Sequence, residues 1–142
     1  MNRNIFIGFF VVLLILVVSV VYVFNKPHRN VVDAKPQYSL SLDEMHDEFL
    51  ADEEKAGQKY FDKVVELKGT LSALNMGENG RYNFILEESG RTASGEIIEL
   101  NDEELNLVGE EVKIKGLYIG YENLLEEIQL SECTIVKYSF RK

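Results

Sequence analysis

Two histidines, one cysteine and 24 carboxylates are the groups through which this chain could move protons, hold metals or supply an electron pair. His28 follows Pro27 near the N-terminal end, and His46 lies in an acid-rich stretch. Neither falls in the strand-like segments that carry Cys133. A Ser-His-Asp or Cys-His arrangement needs its base within hydrogen-bonding reach of the nucleophile, and no base accompanies the cysteine. Cys133, near Leu130 and Ile135, reads as a small core residue. Zinc needs clustered His, Cys or carboxylate at fixed spacing, and calcium loops need backbone carbonyls and a tight glycine turn. Here carboxylates alone are plentiful, and they are spread around a helix. No glycine-rich phosphate loop precedes a helix. The chain is therefore read as a non-enzyme, with no catalytic residues, no metal ligands and no cofactor.

Groups that could bind are better represented. Arg81, Tyr82 and Arg91, together with Tyr118 and Tyr121, place aromatics beside arginines, a combination that can stack on sugars or bases. Phe84 lies two residues from Tyr82, and the plainer reading of the pair is one buried face of a strand. Asp47, Glu48, Asp52 and Glu53 crowd one helical stretch and could meet a basic partner; a solvated acidic face is the alternative. The formal charge is −9. Arg3 is the sole charge before Lys26, so the remainder carries −10. Such a field repels phosphate backbones, which makes nucleic acid an unfavourable partner.

The elements that would position these groups begin with Ile5–Phe24, twenty residues without a charge. As a helix this stretch spans about 30 Å, the thickness of a bilayer's hydrocarbon core. It is longer than the apolar region of a cleaved signal peptide and is followed by no small-residue cleavage site. A retained single-pass transmembrane helix over 5–24 is expected, after a tail of residues 1–4. Lys26 and Arg29 suit the headgroup region, but the charges on either side do not fix orientation. Residues 25–40, with both prolines, read as a tether.

A domain over 41–142 follows. Ser41-Leu-Asp-Glu44 is a capping box, and Leu42, Met45, Phe49, Ala56 and Tyr60 lie near one face. One helix over 42–61 is expected. From Val64 the apolar period drops to two, giving strands over 64–73, 82–87, 92–100, 111–121 and 125–136. Glu78-Asn-Gly-Arg81 reads as a two-residue hairpin turn, Gly69 as a bulge or bend, and Asn101 as the cap of a short helix closed by Gly109. Helices followed by strands in the order β-β-β-α-β-β describe a mainly β domain, a five-stranded Greek-key barrel of the OB-fold kind over 64–137.

Five stretches carry a closer likeness: Asn25-Lys-Pro-His-Arg29, Phe49-Leu-Ala-Asp-Glu-Glu-Lys-Ala56, Tyr60-Phe-Asp-Lys-Val-Val-Glu-Leu-Lys-Gly69, Val108-Gly-Glu-Glu-Val-Lys-Ile-Lys-Gly116 and Leu130-Ser-Glu-Cys133. With them the chain resembles the tRNA_anti-like family of membrane-anchored bacterial OB-fold domains. The resemblance implies the fold and a C-terminal domain outside the cytoplasm, on the inner (cytoplasmic) membrane of a bacterium. The expected function is a tethered, non-catalytic binding module of the cell envelope whose partner is a protein or a small, sugar-like ligand. The alternatives are a nucleic-acid-binding domain on the cytoplasmic face and a structural module acting through the acidic helix.

Overall fold

Apolar side chains on every side of the first segment give a helix with nothing packed against it. In the computed structural model, which describes residues 2–24 and 30–139, α1 (Arg3–Phe24) has no buried residue. It is long and apolar enough to cross a membrane. Its serine hydroxyl is satisfied internally, Ser19 Oγ donating to Ile15 O at 2.8 Å, which leaves no unpaired serine hydroxyl on an otherwise apolar surface.

Of the expected tether, residues 25–29 lie outside the described residues; from Asn30 onward the chain is bound to the barrel. Val31 is fully buried. The buried Lys115 donates from Nζ to Val32 O at 2.6 Å and to Ala34 O at 3.0 Å. Gln37 N donates to Val64 O at 2.8 Å, and β1 (Tyr38–Ser41) pairs in parallel with β2 (Val64–Met76). A strand thus replaces the last part of the tether. Its signal was weak because four residues just after a proline show no period. Replacing Lys115 with Met leaves two carbonyls without their donor, at a cost of about 1–3 kcal/mol. Amide exchange in residues 34–37 should then rise roughly tenfold or more, with the barrel amides unchanged; unaltered exchange would show that Lys115 does not hold the segment.

Ser41 begins the helical layer as expected. Its hydroxyl accepts from Glu44 N at 3.1 Å, and its own N–H donates to the Glu44 carboxylate at 2.8 Å. The single helix over 42–61 is corrected to two, α2 (Leu42–Ala51) and α3 (Glu53–Tyr60). Asp52 is extended (φ −161°) and caps α3 by accepting from Lys55 N at 3.0 Å. A second capping site inside an acidic run breaks the helix, and by acidity alone it looked like more outer face. Leu42, Met45, Phe49, Ala56 and Tyr60 are all buried as the spacing required.

The remaining strands are β3 (Tyr82–Glu88), β4 (Arg91–Ile97), β5 (Glu111–Glu122) and β6 (Glu127–Ser139). They run in the order β2-β3-β4-β6-β5, and β5 returns to β2 to close a five-stranded barrel. Only β4–β6 within the barrel is a parallel pair. This is the OB-fold. The helix expected before β5 is one 3₁₀ turn, Glu104–Asn106, capped reciprocally by Asn101 and Glu104. The third strand ends at Ile97 and the fifth begins at Glu127, each shorter at that end than expected. The bulge in β2 falls between Leu71 and Ala73, beyond Gly69. Gly69 instead makes room for Leu86, whose Cγ would stand 2.8 Å from an added Cβ.

The Asn79-Gly80 turn is also corrected. Gly77 N donates to Arg81 O at 2.7 Å and Gly80 N to Gly77 O, leaving a three-residue loop in which Gly80 has φ +77°. The two-residue turn with both φ positive is Ser89-Gly90, the geometry that matches strand twist.

Candidate functional site

Alternation along the strands sorts the outer surface of β3, β4 and β6. Phe84, Leu86, Ala93, Ile128 and Leu130 turn into the core. Between them, Asn83, Ile85, Ser94, Gln129 and Ser131 line a depression of about 410 Å³ with Glu96 and Ile119. The floor exists because β4 and β6 run side by side, with Ser94 opposite Gln129 and Gly95 opposite Leu130. In the cyclic strand order β4 lies across the barrel from the β2–β5 seam. The groove therefore centres on the wall away from the β2–β5 seam, with Ile119 of β5 at its edge.

Four neutral hydrogen-bonding side chains and two isoleucines give the groove its character. Its charged member is Glu96, whose carboxylate accepts from Arg81 Nη1 at 2.7 Å and from Asn79 Nδ2 at 2.5 Å. The Arg81 hydrogen bond, and then that of Asn79, holds Glu96 below the usual carboxylate range. These contacts pin the β2–β3 hairpin tip to β4. Deeper in the strip, Ser94 Oγ donates to Glu127 Oε1.

The five residues expected to bind ligand fall in two places. Arg81 touches the groove through Glu96, while the half-buried Tyr82 opens β3 on the row of Phe84 and Leu86. Arg91, Tyr118 and Tyr121 lie beneath the helices. Arg91 Nη1 bridges Asp47 at 2.7 Å and donates to Asp43 O at 3.0 Å, and the Asp47 hydrogen bond raises its pKa. Tyr121 stacks on Phe49 at 4.5 Å and 9°, and Tyr118 lies 5.7 Å from the same ring. Tyr118 is 5% exposed, and burial pushes its phenol up to about 12. The expected stacking platform is thus helix-to-barrel packing.

The acidic quartet is likewise engaged within the fold. Asp47 meets Arg91, and Glu48 pairs with Lys59 at 2.7 Å. Asp52 caps α3, and Glu53 accepts from Asn123 Nδ2 at 3.1 Å. His46 is buried, its Nε2 3.0 Å from Thr92 O, and burial lowers its pKa. It is a packed neutral residue with Tyr121 at 5.7 Å. Cys133 is buried, and desolvation raises its pKa, so it stays a thiol.

Sequence reasoning missed the groove side chains Asn83, Ser94, Gln129 and Ser131. Alternation marks each as outward, but nothing local announces that residues 94 and 129 meet.

The family pattern described as tRNA_anti-like matches residues 1–129. No curated protein matches the chain. Among solved structures, one from Klebsiella pneumoniae described as a nucleic acid-binding lipoprotein is similar, with 17% identity and a TM-score of 0.52, covering 79% of this chain and 100% of that one. The aspartyl-tRNA synthetase of Leishmania major (12% identity, TM-score 0.46) aligns over 83% of this chain and 23% of its own. The asparaginyl-tRNA synthetase of Entamoeba histolytica (17%, TM-score 0.39) aligns over 55% and 21%. The alignment spans about a fifth of each synthetase.

Proposed function

From the premise that the chain belongs to the tRNA_anti-like family, we propose that it is a membrane-tethered OB-fold module of the bacterial cell envelope that acts by binding and not by catalysis. The observation that carries this reading is the groove on the β3–β4–β6 wall, where neutral hydrogen-bonding groups surround two isoleucines. A surface of that kind orients a ligand, and it offers no paired acid and base for chemistry. The tether is α1, with the barrel outside the cytoplasm. Membranes washed with high salt and then alkaline carbonate should retain the full-length chain, and protease added outside spheroplasts should digest the barrel. A soluble mature form beginning beyond Asn25, or complete protection from the protease, would overturn the tether or its orientation respectively.

Nucleic acid is the second reading, favoured by the description of the Klebsiella lipoprotein that shares the fold. Against it stand the charge of −10 over the residues after α1 and the pairing of Arg81 with Glu96. Polyanion binding would show a steep loss of affinity with salt. A titration with single-stranded RNA and DNA separates the two readings.

A further inference from the structure

Taking the groove as the binding surface, we infer that its occupant is an extended polypeptide segment bearing a lysine or arginine, whose cation takes Glu96 in place of Arg81. This inference rests on the proposed binding role and names the ligand class for it.

The lining decides against the ligands usual for stacking surfaces. Bases and sugars bind on outward aromatic rings, whereas the outward apolar groups here are Ile85 and Ile119, and Phe84 turns into the core. Phosphate requires net positive charge, and here Arg81 is balanced by Glu96 at 2.7 Å with Glu87 and Glu127 beside the groove, which leaves none. An extended peptide has the complementary chemistry. Its backbone amides and carbonyls suit Asn83, Ser94, Gln129 and Ser131, and its alternate side chains suit the two isoleucines. The flanking outward residues Glu87 and Glu127, and the net charge of the domain, favour a positive partner.

Glu96 is the point of exchange. The Arg81–Glu96 pair is open to solvent on the arginine side, with Arg81 53% exposed and Glu96 28%, and pairs that water reaches contribute little to stability. One cation can replace another at Glu96 without disturbing the barrel.

The sign of two substitutions tests the assignment. Full-length protein in vesicles of neutral phosphatidylcholine would be titrated against three fluorescent probes: a Ser/Val peptide with two central lysines, the same peptide with two glutamates, and an oligothymidylate. The lysine peptide is expected to bind. E96Q should weaken it roughly tenfold, the scale of one lost charge-assisted hydrogen bond, and R81A should tighten it severalfold by freeing the carboxylate. Unchanged melting curves confirm that both variants fold. If the oligonucleotide or the glutamate peptide binds best, with R81A weakening and E96Q strengthening it, the cationic peptide is wrong while the groove remains a binding site. If none of the three probes binds, the peptide assignment falls, and membrane retention of the chain stays as a separate result.

Discussion

Replacing Gly95 with alanine is expected to open the barrel along its one parallel seam. An added Cβ would stand 2.5 Å from Leu130 O, 3.1 Å from Leu130 C and 3.0 Å from the Phe84 ring. Two of those atoms belong to backbone that is itself paired with β4, so no side-chain rotation relieves the clash. Overpacking of this kind costs about 1–3 kcal/mol, and contact with main chain places Gly95 near the upper end. A domain of this size should lose about 10–20 °C in melting temperature at that cost. Because Gly95 also floors the groove, ligand binding should fall with stability. A melting temperature within a few degrees of the parent would mean that β4 and β6 can separate without loss, and the seam would then not hold the groove.

Phe49→Ala carries the second large effect. The Phe49 ring stacks on Tyr121 at 4.5 Å, and it lies 6.0 Å from Tyr60 and 5.7 Å from Tyr118. Its removal leaves a cavity where α2 meets β5, and burying a Phe side chain in such a site is worth about 3–5 kcal/mol. A second readout separates lifting of the helices from general unfolding. Burial holds the Tyr118 phenol at about 12. With the helices loosened, water reaches that phenol, and its titration should move down toward 10.0, the ordinary value. Tyrosinate absorbance followed against pH, below the denaturation temperature, measures the shift. A phenol that still titrates near 12 would show that the barrel buries Tyr118 without help from Phe49.

These two sites also show where sequence could and could not see. The start of α2 was legible because a capping box is a local device: Ser41 and Glu44 satisfy one another three residues apart. The buried face of the helices was legible from spacing, since Met45 and Phe49 must share a side. The split at Asp52 was not, because one carboxylate among seven looks the same whether it faces water or caps a helix. Strand rows followed from alternation, but β5 slips register against β6 between Lys115 and Leu117 and again between Tyr118 and Gly120. The period of two is lost there, and Tyr118 and Tyr121, three residues apart, both reach Phe49. That is why two tyrosines expected to meet ligand are packing. The groove depends on residues 94 and 129 becoming neighbours, a consequence of barrel closure that no window of the sequence contains.

The clamp at Lys115 fixes how far this domain can roam. Between Phe24, the last residue of α1, and Asn30, where the clamped segment begins, there are only six peptide steps. Fully extended, they span at most about 20 Å. With α1 in the bilayer as proposed, the barrel is held within a shell no deeper than its own diameter plus that short leash. On that reading, whatever enters the groove must come to the lipid surface to be met.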